Sequence, residues 1–118
     1  MIWAVDDPSK LGPHSATELA DPLNELLVSA GTIWEIAIKV GLGKLSLSLP
    51  FGQWMNNAVA DLGATILPIR VEHADAQINL TGRGDPFDRL LAAQSKVEDL
   101  SVVSNDSGLD QYSVPRLW

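Results

Sequence analysis

The 118 residues are 46% hydrophobic and 19% charged, the balance of one compact globular domain (residues 1–118) and not of a disordered tail. A formal net charge of −7 argues against a broad nucleic-acid-binding surface, because phosphate backbones are held mainly by clustered Lys and Arg. With no cysteine there is neither a disulfide framework nor a thiolate metal site.

No apolar run approaches the roughly 18 residues of a membrane span. Residues 1–15, charged and interrupted by proline, do not resemble a signal peptide, so the expected location is the cytoplasm. An acidic chain is still able to cut a polynucleotide where a divalent metal neutralises its acidic pocket. It also suits a partner with a basic segment.

In chain order, MIWAVD is short and apolar, and DDPSKLGP reads as a loop. HSATELAD suits a short helix starting near Ser15, with Glu18 as its capping-box partner. ELLVS is a brief buried strand. In AGTIWEIAIKVGLG, Ile33, Ile36, Ala37 and Val40 form one apolar helix face, stopped by Gly41 and Gly43. KLSLSLP alternates and reads as an extended arm joining two helices, with support of a dimer as a second role.

FGQWMNNAVADLG is a second amphipathic helix, built on Phe51, Trp54, Met55, Ala58, Val59 and Leu62. ATILPI is the next strand and VEHADAQINL the next helix. TGRGDP is a loop before PFDRLLAAQSKVED, the clearest helix of the chain. LSVVSND is a strand running into a turn, and VPRLW is a short final strand. Strands alternating with helices across short loops predict an α/β fold with a parallel sheet and helices on both faces.

Sites in such sheets form at the carboxyl ends of strands. Glu35 lies in the helix after LLVS, and Asp106 follows SVVSN. Each acid also has an ordinary reading. Asp85 is a good N-cap ahead of Pro86, with Asp88 where the helix dipole favours an anion. Glu35 and Lys39 are spaced for a surface ion pair, and Asp106 suits a turn. Brought together, Glu35, Asp88 and Asp106 would repel one another and persist only with bound protons or a cation. Hard oxygen donors favour Mg²⁺ or Mn²⁺, which activates water and stabilises charge on a phosphodiester under attack.

LLVSAGTIWEIAIKVGLGKLSLSLP, DPFDRLLAAQ, LSVVSND and the closing VPRLW resemble, in that order, the PIN-domain family, and within it the VapC-like toxins of type II toxin–antitoxin modules. The resemblance covers nearly the whole chain. It implies a three-layer α/β/α sandwich with a small parallel sheet and a Mg²⁺-dependent endoribonuclease acting on RNA. It also implies a homodimer inhibited by a cognate antitoxin. On the matching positions it implies that Glu35, Asp88 and Asp106 are catalytic and hold the metal. Ser104 then stands near the metal, and Asp85 orients Asp88 from the helix cap.

Family members open with an LLDTH-like strand whose Asp is a metal ligand, and no such stretch precedes MIWAV. Asp6 and Asp7 align beyond it and do not replace that acid. The expectation is a sandwich whose first central strand is missing, through a misplaced start codon or a true truncation, with weakened metal binding. The alternative function is a catalytically impaired PIN-fold binding module that dimerises and binds an antitoxin. A phospho-receiver domain shares the alternation, but this sequence shows neither its acidic pair at a first strand nor its later Lys after a strand. His14 and His73 are too far apart in sequence to suggest a histidine metal site. Trp3, Trp34, Trp54 and Trp118 read as core or dimer anchors. Arg83 and Arg89 flank the acids, as phosphate contacts, solvent-exposed groups or salt-bridge partners.

Overall fold

The computed structural model describes residues 11–82 and 84–118. The expectations for the opening MIWAV segment, for Trp3, Asp6 and Asp7, and for Arg83 lie outside the described residues. The chain is α/β and divides into two compact units, one ending at Pro68 and the other spanning Ile69–Trp118.

The first unit contains α1 (Pro13–Ala20), β1 (Leu27–Ser29), α2 (Ala30–Gly41), α3 (Phe51–Leu62) and β2 (Thr65–Leu67). The start of α1 differs from the expected Ser15 cap. Gly12 is the N-cap without a side-chain bond, and Pro13 opens the helix with its backbone already at a helical angle. Ser15 is instead buried within the helix. At the head of α2 the Ser29 hydroxyl accepts from the Gly31 N–H at 3.1 Å. Helix α3 stops at Gly63, which takes the left-handed conformation (φ 62°) that glycine adopts without a Cβ clash.

The core of this unit joins α2 to α3. Ile36, Trp54, Met55 and Ala58 are buried together, with Ile33, Val40, Phe51 and Val59 packed against them. Leu45 and Leu47 from the KLSLSLP arm close over the same cluster, so the arm contributes to the core as well as connecting helices. Strands β1 and β2 run parallel in the register Leu27–Thr65, Val28–Ile66 and Ser29–Leu67. The α2–α3 segment supplies the long crossover that a parallel pair requires.

The second unit contains α4 (Val71–Ile78), α5 (Pro86–Glu98), β3 (Val102–Val103), a 3₁₀ helix (Ser107–Tyr112) and β4 (Arg116–Leu117). Its core is Ala92, Leu109, Tyr112 and Val114, with Leu80 and Val102 against them. Strands β3 and β4 pair in parallel, Val102 with Arg116 and Val103 with Leu117. The parallel pairing expected from the alternation of elements is therefore present, among the described residues as two sheets of two strands each.

Candidate functional site

Glu35 sits in the second turn of α2, after the carboxyl end of β1, and is half-buried. Its Oε2 lies 3.5 Å from Lys39 Nζ one turn on. The i, i+4 order, acid before base, is the favourable one for such a pair. In the second unit Asp88 occupies the first turn of α5, half-buried, where the helix dipole favours a carboxylate.

Asp85 builds that helix end. Its Oδ1 accepts from the Phe87 N–H at 2.7 Å and from the Asp88 N–H at 3.4 Å, while Pro86 supplies the first helical residue. Two of the orphan amide donors of α5 are thereby satisfied. One aspartate fixes where the helix starts, and the other projects from the turn so fixed.

Asp106 stands just beyond β3 and caps the 3₁₀ helix, its Oδ1 accepting from the Gly108 N–H at 2.8 Å. Its own N–H donates to Ser104 Oγ at 3.1 Å, so Ser104 shapes the turn that presents Asp106. Arg116 lies in the same neighbourhood. Its guanidinium donates to both Asp110 carboxylate oxygens, at 2.9 and 3.1 Å, and to the Ser104 carbonyl at 3.2 Å. The hydrogen bond to Arg116, with its charge, holds the Asp110 carboxyl below its ordinary 3.8.

Arg89 serves the scaffold in a way that spacing did not reveal. Its guanidinium donates to three backbone carbonyls, Gln77 (2.6 Å), Leu80 (3.2 Å) and Gly82 (2.9 Å), and lies over the Tyr112 ring at 5.9 Å. It thus ties the loop after α4 to α5. A second unforeseen group is His73, fully buried between α4 and α5. Its Nδ1 accepts from the Arg70 N–H at 3.0 Å, so Nε2 carries the proton and donates to Glu98 Oε1 at 2.8 Å. No sequence signal links residues 73 and 98, because the pair forms only when two helices pack.

The three acids lie in separate segments, Glu35 in the first unit and Asp88 and Asp106 in the second. Among the described residues no group of three or more His, Asp or Glu side chains is drawn together at metal-binding range. In kind, the donors fit Mg²⁺ or Mn²⁺: all are carboxylate oxygens, His14 is exposed on α1, and His73 is engaged by Arg70 and Glu98.

No family model matches the chain, and no curated protein or solved structure does either. No helix among the described residues is long and apolar enough to cross a membrane.

Proposed function

We propose that this chain is a Mg²⁺-dependent endoribonuclease of the PIN kind, a VapC-like toxin of a type II toxin–antitoxin module, in which Glu35, Asp88 and Asp106 hold the metal. The observation that carries this reading is positional. Glu35 and Asp106 each follow the carboxyl end of a parallel-paired strand, and Asp88 projects from the first turn of a helix whose start is set by Asp85. The WEIAIK and DPFDRLLAAQ segments that carry the resemblance are the ones in which Glu35 and Asp88 stand.

A bound Mg²⁺ or Mn²⁺ would activate water and stabilise the charge on the RNA phosphodiester. The chain's own part is to orient the donors. Asp85 sets the turn bearing Asp88, and Ser104 sets the turn bearing Asp106. The parallel pairing of β1 with β2 and of β3 with β4 supports the finer reading of an α/β/α sandwich. A cytoplasmic homodimer held in check by a cognate antitoxin completes this reading.

The second reading is a PIN-fold binding module that dimerises and binds an antitoxin without cutting RNA. It is favoured by the structural partners that the acids already have: Lys39 for Glu35, and a backbone N–H for Asp106. Cleavage of a labelled RNA in Mg²⁺ or Mn²⁺ separates the two. The nuclease reading expects cleavage that disappears with chelator and in Asp88→Asn; a folded chain without cleavage supports the binding module.

A further inference from the structure

We propose that Arg116 is the positioning residue of Asp106, a clamp that grips the turn on both sides of that acid and fixes where its carboxylate stands. The role deepens the metal reading above and rests on it for the ion alone, because the clamp itself is measured on the metal-free chain.

Of the three candidate acids, Asp106 stands on the least regular backbone. Glu35 is carried by a helix of 12 residues and Asp88 by one of 13. Asp106 lies between a strand of 2 residues and a 3₁₀ helix of 6. A 3₁₀ helix has poorer hydrogen-bond geometry than an α-helix, so such a turn gains from bracing elsewhere in the chain. The side-chain bonds of the turn itself are local. Ser104 Oγ accepts the Asp106 N–H, Asp106 Oδ1 accepts the Gly108 N–H, and each bond spans only two residues.

The longer-range brace comes from β4. The Val102 N–H donates to the Pro115 carbonyl at 2.8 Å, and the Ser104 N–H to the Leu117 carbonyl at 3.1 Å. This pairing sets Arg116 beside the strand that leads into the turn. The guanidinium then reaches both flanks of Asp106. Nη1 donates to the carbonyl of Ser104, before the acid, at 3.2 Å. Nε and Nη2 donate to the two carboxylate oxygens of Asp110, after the acid, at 2.9 and 3.1 Å. One rigid planar group therefore fixes the span of chain that bears Asp106 between its ends. Holding Oδ1 on the Gly108 N–H within that span also fixes where Oδ2 points.

The clamp brings a cation near the acid without leaving it unbalanced. The hydrogen bond to Asp110 and then the charges of Asp110 and Asp106 raise the Arg116 guanidinium above its ordinary value, against the opposing effect of burial. Asp106 is thus within electrostatic reach of Arg116. A bare guanidinium there would repel an incoming divalent ion, and Asp110 neutralises it. The Arg116 side chain is 22% exposed and that of Asp110 56%. Ion pairs this open to water add little to global stability, so loss of the clamp should be felt at the turn and not across the fold.

Exchange of the Gly108 amide, read by NMR on the metal-free full chain, reports the bond to Asp106 directly. Arg116→Lys keeps the charge and loses the fork, and Arg116→Gln loses both. In each, the Gly108 amide should exchange at least about threefold faster, with circular dichroism unchanged. Asp110→Asn loosens the same clamp from its exposed end and decides the matter where an Arg116 variant does not fold. Mn²⁺ binding supplies a second arm. Arg116→Lys should lower affinity at least about fivefold in the parent and leave it unchanged in an Asp106→Asn background, where nothing remains to be positioned. A role in stability alone would lower affinity alike in both. Unchanged Gly108 exchange in all the folded variants, or an equal loss of affinity with and without Asp106, would overturn the proposal. A folded parent that binds no Mn²⁺ overturns the metal reading instead, and the Gly108 amide still decides the clamp.

Discussion

His73 Nε2 stands 2.8 Å from Glu98 Oε1, and this contact joins two helices whose sequences do not advertise each other. The imidazole is wholly buried, and its Nδ1 accepts the N–H of Arg70 at the start of α4. One side chain thus caps its own helix and fastens it to the next. Replacing His73 with Leu keeps bulk but leaves the Arg70 N–H without its acceptor. The expected loss is about 2 kcal/mol of unfolding free energy, measured by urea denaturation.

The same contact sets a pH dependence. The hydrogen bond from His73, and then the charge of Arg70, hold the Glu98 carboxyl below its ordinary value of 4.5. A carboxyl depressed in the folded state contributes stability that is fully present above its unfolded value and lost as pH falls through the lower folded value. Stability should therefore decline as pH is taken below 4.5, and Glu98→Gln should flatten that limb. Urea midpoints across an acid pH series check both.

Asp85 and Asp88 should separate by readout. Removing the cap with Asp85→Ala should cost about 1 kcal/mol, and Asp85→Ser should recover most of it. Asp88→Asn keeps the backbone and the helix start, so its effect on stability should be small and its effect on cleavage complete. Thermal melts of the three variants beside the RNA assay measure the split.

Gly84 and Tyr112 form a tight contact, since a Cβ on Gly84 would overlap the Tyr112 hydroxyl oxygen. That oxygen is buried, and among the described residues it has no hydrogen-bond partner. Gly84→Ala should destabilise, whereas Tyr112→Phe removes an unsatisfied polar atom and should be neutral or stabilising by up to about 1 kcal/mol. The double variant should recover part of the Gly84→Ala loss, a coupling that a double-mutant cycle measures directly.

Arg89 holds the Gln77 carbonyl in the last turn of α4 and the Leu80 and Gly82 carbonyls of the loop after it with one planar group. Lysine presents a point charge and cannot reproduce that fork, so Arg89→Lys is not a conservative change here. Limited proteolysis should cut residues 79–85 faster in Arg89→Lys than in the parent chain, with the α5 helix retained.

Local periodicity made α2 and α3 legible through apolar faces at helical spacing, and Asp85 ahead of Pro86 marked the start of α5, whereas the Ser29 cap of α2 and the Gly63 stop of α3 emerge only in the structure. Strand positions were legible but their lengths were not. ATILPI narrows to Thr65–Leu67, and LSVVSND to Val102–Val103, because an apolar run does not record where pairing stops. The 3₁₀ helix Ser107–Tyr112 was hidden by turn-forming residues at its start. The candidate acids were legible one at a time, through position relative to strands and a helix start. The contacts that brace them, Ser104 with Asp106 and Arg89 with its carbonyls, depend on a backbone path that spacing does not encode.

Mn²⁺ binding to the full chain, measured by calorimetry for the parent and for Glu35→Gln, Asp88→Asn and Asp106→Asn, tests most directly whether acids from three segments share one ion. One Mn²⁺ should bind per chain, with affinity lowered at least about tenfold by each substitution. No binding by the folded parent, or binding that is indifferent to all three substitutions, would contradict it.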